Sequence, residues 1–200
     1  MPAEIRLVVG LGNPGPDYAH TRHNAGYWFV DQLAQSASAS FKREAKFHGE
    51  VARMDAERWL LKPATFMNLS GDAAAAMARF YHFEPRQILV AHDDLDLPPG
   101  NVRFKTGGGD GGHNGLKDIT SKLGSGDYHR LRFGIGHPGD RERVMPHVLN
   151  RATAEDEKAI RDAIASALAE MPSLLAGEYT KVMNALNRRA TIGKETGEEE

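Results

Sequence analysis

The chain of 200 residues contains no cysteine. That absence removes disulfides, thiolate nucleophiles and cysteine-ligated zinc or iron–sulfur centres. No run approaches the roughly 18 apolar residues that a membrane span requires, and the first residues show no positively charged then apolar leader. A cytoplasmic protein with no membrane contact is expected. There is no Gly-x-Ser-x-Gly elbow, so a serine nucleophile lacks support, and water is left as the natural nucleophile for any hydrolysis. Aromatic stacking motifs of the RNA-recognition type are also missing.

The small net charge of −2 conceals an uneven distribution. Residues 101–151 hold nine Lys/Arg against five Asp/Glu, a balance of +4 that leaves −6 for the remainder. A locally basic region on an otherwise acidic chain can attract a polyanion, although a solvated mixed-charge surface has the same composition. With 40% hydrophobic and 26% charged residues, the chain has the make-up of a globular domain.

Periodicity divides the chain into alternating elements. Ile5, Leu7, Val8 and Val9 read as a strand that ends in a turn-rich loop, residues 10–26. Tyr27, Trp28, Val30, Leu33 and Ala34 then predict a helix over 25–36 with Asn24 as its N-cap. Phe47–Met54 and Arg58–Leu61 read as a hairpin closed by Pro63, and the alanine-rich segment after Gly71 as a helix capped by Ser70 or Asn68. Ile88–Ala91 has the character of a buried parallel strand, with acids directly after it. Residues 102–105 suggest a further strand, followed by a glycine-dense segment, Gly107–Gly115, suited to close approach or mobility. A helix over 116–123, a strand over 128–135 and helices over 155–171 and 179–186 complete the pattern. The expected architecture is α/β: a single domain over residues 1–189, with a twisted mixed β-sheet surrounded by helices, and a polar disordered tail over 190–200.

Reactive side chains gather on the loops. His23 is the candidate acid/base, since imidazole titrates near working pH, and at the mouth of the first helix the dipole should keep it neutral. Asp93, Asp94 and Asp96 could orient a histidine, ligate a divalent metal, or simply cap a turn. Asn13, Asn68 and Asn114 are each ordinary turn residues taken singly. Together, beside glycine-rich loops, they are candidates to hold a substrate and a developing oxyanion. Gly10-x-Gly12-x-x-Gly15 matches a dinucleotide fingerprint in letters only. Pro14 and Pro16 flank its last glycine and the helix starts too late, so no dinucleotide is expected.

Seven segments in this order resemble the bacterial peptidyl-tRNA hydrolase family: Gly10-Leu-Gly-Asn-Pro-Gly with Tyr18, Thr21-Arg-His-Asn-Ala-Gly26, Thr65-Phe-Met-Asn-Leu-Ser-Gly71, Val90-Ala-His-Asp93, Leu95-Asp-Leu-Pro-Pro-Gly100, Gly111-Gly-His-Asn-Gly-Leu-Lys117 and Arg132-Phe-Gly-Ile-Gly-His-Pro138. The similarity spans about residues 5–187. It implies hydrolysis of the ester joining a peptide, or an N-blocked amino acid, to the 3′ ribose of tRNA, which recycles tRNA released prematurely from ribosomes. It also implies a monomer that uses no cofactor and no metal. Carried over by motif, His23 is the general base and Asp93 orients it. Asn13 reads the first peptide bond, while Asn68 and Asn114 position the ester and the attacking water. Tyr18 and Phe66 line the site for the peptide and terminal adenosine of the CCA end, together with His113. Lys105 and Arg132 meet the phosphates of the acceptor stem. Two rival readings stay open at this point: a metal-dependent phosphodiesterase built on the Asp93 cluster, and a noncatalytic tRNA-binding module.

Overall fold

The computed structural model describes residues 3–195. In chain order its elements are β1 (Leu7–Gly10), α1 (Ala25–Ser36), β2 (Lys42–Glu44), β3 (Gly49–Arg53), β4 (Trp59–Pro63), α2 (Ser70–Tyr81), β5 (Ile88–Asp94), β6 (Val102–Thr106), α3 (Asn114–Leu123), β7 (His129–Gly134), α4 (Val144–Leu149), α5 (Ala154–Leu175) and α6 (Tyr179–Glu195). Among the described residues the strands form one seven-stranded sheet in the order β2-β3-β4-β1-β5-β7-β6. The four central strands, β4, β1, β5 and β7, run parallel, and the antiparallel pairs lie at the two sides. The fold is α/β with a mixed sheet covered by helices, as the pattern predicts.

Period-two alternation sorts the strand side chains into two cores. Val8, Leu60, Leu89, Ala91, Leu131 and Phe133 face α1, α5 and α6. Leu7, Val9, Leu61, Ile88 and Val90 face α2 and α3 through Ala74, Met77, Leu116 and Ile119. Strands buried on both faces carry no polar alternation, which is why β1 and β5 read as continuous apolar runs. The connection after β1 leads to one side of it, and after α2 the chain crosses to the other side as β5. The carboxyl ends of β1 and β5 therefore flank a topological switch point, where open α/β sheets bind their ligands.

Several expectations are refined. The hairpin forms, but its first strand begins at Gly49, because Ala45–Phe47 is a 3-10 turn. None of the proposed caps works through its side chain. Neither Asn24 nor Leu69, the residue at the cap position of α2, makes a side-chain cap bond, and Ser70 Oγ donates to the Met67 carbonyl instead. The short edge strand β2 and helix α4 carry no sequence signal of their own. Residues 190–195 of the expected tail fall on α6, which extends to Glu195, while residues 196–200 lie outside the described residues.

Candidate active site

The site begins with two glycines. At Gly26 a Cβ would overlap the Ala91 carbonyl oxygen, and at Gly10 it would overlap the Gly26 carbonyl. Hydrogen at both positions lets the first turn of α1 rest directly on the ends of β1 and β5. The Leu11 amide extends the β1–β5 pairing by donating to Ala91 O at 3.0 Å. The 3-10 turn Arg22–Asn24 that leads into α1 is thereby carried to the end of β5, with His23 against Asp93.

His23 Nδ1 donates to Asp93 Oδ2 at 2.8 Å and lies 3.0 Å from Oδ1. His113 Nε2 donates to Asp93 Oδ1 at 2.8 Å. The tautomer of His113 follows from its other nitrogen, which is the N-cap acceptor of α3 and receives the Gly115 and Leu116 amides at 3.1 and 3.4 Å. Nδ1 is thus the acceptor and Nε2 carries the hydrogen. His23 leaves its Nε2 without a protein partner among the described residues, at a cavity that His113, Asn114 and Leu95 also line.

Burial pulls the His23 pKa down, but the charge of Asp93 and its hydrogen bond outweigh it, so the net shift is upward. This direction is opposite to the one expected at the mouth of a helix, because a carboxylate in contact outweighs a terminus dipole. For Asp93, burial raises the pKa, yet the two histidines and their hydrogen bonds hold it far below the usual carboxylate range. His92, on the next rung of β5, is fully buried, and burial together with neighbouring His113 lowers its pKa to about 4. Its Nδ1 donates to the Asp93 carbonyl at 2.7 Å, and Nε2 is buried with no partner among the described residues.

The asparagines take different places. Asn13 is buried, and its Oδ1 accepts the Met67 amide at 2.7 Å. An amide N–H can donate only to the oxygen, so Nδ2 is the atom left to offer. Asn24, rather than capping α1, braces Asn13 by exchanging two hydrogen bonds with its main chain, at 2.8 and 3.0 Å. Asn114 is the first residue of α3 and lines the cavity; Asn68 is exposed on the 3-10 turn Met67–Leu69. A Cβ at Gly115 would run into Met67 Sδ and Leu11, so this glycine lets the Asn68 turn close on the start of α3.

Tyr18 and Phe66 meet edge to face at 6.1 Å, and Phe66 is 58% exposed. Strand register pairs Arg103 with Arg132 and Lys105 with Arg130, which places all four cations on one face of the sheet. Arg132 is paired to Asp94 at 2.8 Å. Arg130 is buried and spent on carbonyls: it donates to Gly109 O, to Gly108 O at 2.9 Å and to Gly126 O at 3.1 Å, anchoring the glycine-dense loop. The three acids do not converge on one ion. Asp93 serves the histidines, Asp94 serves Arg132, and Asp94 Oδ1 also takes the Asp96 amide in a turn. The ligand atoms of His23, Asp93 and His113 do lie within 4.8 Å of one another. A metal there would have to displace the hydrogens that now join them.

Sequence reasoning left out His92, Arg22, Arg130 and the apolar wall of the cavity, Val144, Met145 and Val148 of α4. His92 had a signal, its position directly before Asp93; α4 is too short for its period to show.

A profile described as peptidyl-tRNA hydrolase matches residues 7–194 of the chain. The peptidyl-tRNA hydrolase of Neisseria meningitidis serogroup B is 57% identical over 188 residues, covering 92% of this chain and 98% of the relative. That of Coxiella burnetii is 52% identical over 187 residues, covering 94% and 100%. A crystal structure of the Acinetobacter baumannii peptidyl-tRNA hydrolase superposes with a TM-score of 0.89 at 48% identity, covering 92% of this chain and 94% of that one.

Proposed function

Since the chain belongs to the peptidyl-tRNA hydrolase family, and so is a hydrolase of an ester bond, we propose that it cleaves that bond with water activated by the His23–Asp93 pair. His23 Nε2 takes a proton from water as the oxygen attacks the ester carbonyl, and Asp93 stabilises the imidazolium that forms. The same proton then passes to the 3′ oxygen of the terminal ribose. Its departure leaves the peptide carboxylate and free tRNA. The observation that carries this reading is the buried 2.8 Å hydrogen bond from His23 Nδ1 to Asp93, which leaves Nε2 to the cavity.

Asn13 presents Nδ2 to the carbonyl of the first peptide bond, a contact that a free aminoacyl ester cannot make. Asn68 and Asn114 hold the ester and its oxyanion. Phe66 and Tyr18 receive the terminal adenosine and peptide of the CCA end, and Lys105 and Arg132 the phosphates of the acceptor stem. His113 acts through Asp93, with both ring nitrogens committed inside the protein. The active unit is a monomer, with residues 1–189 as its catalytic domain, working in the cytoplasm where tRNA is recycled. Among the described residues no helix is long and apolar enough to cross a membrane.

The test is incubation with N-acetyl-aminoacyl-tRNA and with free aminoacyl-tRNA in excess chelator. Cleavage of the blocked substrate alone is expected, and His23→Ala should lose kcat by about 10²- to 10⁴-fold while keeping its circular dichroism. Abolition by chelator would point to metal chemistry, and tight binding without cleavage to a binding module.

A further inference from the structure

We propose that Arg22 is a positioning residue that holds the apolar wall of the cavity beside His23, and through it favours an esterified residue with a large apolar side chain. The wall is α4, six residues that present Val144, Met145 and Val148 to the cavity. A helix this short has no stability of its own, so its place is set by what grips it.

Arg22, the residue directly before His23, supplies the grip. Its guanidinium donates from one nitrogen to His147 O at 3.2 Å and Arg151 O at 3.4 Å, and from the other to Asp156 at 3.4 Å. The carbonyl of His147 is one of those that α4 cannot satisfy internally, and a cation at a helix carboxyl end is favourable. Main-chain bonds stitch the same two segments together: Arg22 N to Asn150 O and Ala152 N to His20 O, each at 3.3 Å. A second tie, His147 Nε2 to Ile135 O at 3.0 Å, fastens α4 to the exit of β7. The wall is thus referenced to the segment that carries the base.

The cost of this arrangement argues for a role beyond folding. Arg22 is 7% exposed, and its Nε is buried with no partner among the described residues. A buried cation with an unmade hydrogen bond is a poor choice for stability alone, where a well-packed apolar side chain does as well or better.

The proposal rests on the ester hydrolysis argued above, and one experiment separates the two. Turnover of N-acetyl-leucyl-tRNA and N-acetyl-glycyl-tRNA by the unaltered protein tests the activity itself; failure on both overturns the activity. For Arg22→Ala, kcat/KM on the leucyl substrate should fall about tenfold, chiefly through KM, while the glycyl substrate changes little. Arg22→Lys should lie between, and added guanidinium ion should restore part of the leucyl activity of Arg22→Ala. Should Arg22→Ala fail to fold, Asp156→Asn loosens one leg of the clamp and should lower the leucyl-to-glycyl ratio in the same sense. Equal losses on both substrates, or an unchanged ratio, overturn the proposal.

Discussion

At the scale of the residue, Asp93 organises the site because its two oxygens face two histidines in different settings. His113 is fixed as a donor by the helix it caps, whereas His23 keeps its Nε2 at the cavity. Asp93→Asn removes the charge that raises the His23 pKa, so burial, which lowers it, then dominates. The acid limb of the kcat/KM profile should move to lower pH, with a smaller loss of kcat than in His23→Ala; an acid limb that stays in place would show that Asp93 does not set it. Linkage has the same sign. The raised pKa contributes stability that is fully present below the unfolded value of about 6.5 and is lost as pH rises through the folded value. The choice of Asp93 over Asp94 and Asp96 comes from the family resemblance; that an imidazole should pair with a carboxylate is legible in the sequence itself, because these are groups that can activate water. The commitment of His113 is not, since it depends on a ring nitrogen meeting amides two and three residues ahead.

At the scale of the element, the helix and strand periods place α1, β1, β5 and α3 nearly where they lie, whereas caps and short pieces escape. Asn24 has the composition of a cap, but the buried loop offers its side chain stronger company in the Asn13 main chain. β2 is a charged edge strand with no alternation to read, and α4 holds Pro146 inside six residues. The close seat of α1 on the strand ends is equally hidden, because Gly10 falls in the letters of a dinucleotide fingerprint with Gly12 and Gly15, and Gly26 carries no signal of its own. Gly26→Ala should cost about 1–3 kcal/mol by overpacking. It should also push the His23 turn away from β5, so that activity falls further than stability; denaturant unfolding measured beside kcat checks this.

For the whole molecule, four of the nine cations in the basic segment, Arg103, Lys105, Arg130 and Arg132, fall on one face of β6 and β7, and the charge free to meet a phosphate there is smaller than the count suggests. Arg130 is buried under loop carbonyls and Arg132 is paired with Asp94. Lys105→Ala should therefore weaken tRNA binding and flatten the plot of log affinity against log salt by about 0.7–1 for the single phosphate it leaves unneutralised; an unchanged slope removes Lys105 from the tRNA-binding face. The pairing of β1 with β5 also has a consequence in time. His23 and Asp93 stand 70 positions apart and meet only when those parallel strands close, a long-range step that is slow to form. Catalysis should be the last property to return on refolding. Far-ultraviolet ellipticity recovers first as the helices form, and turnover appears with the final native phase.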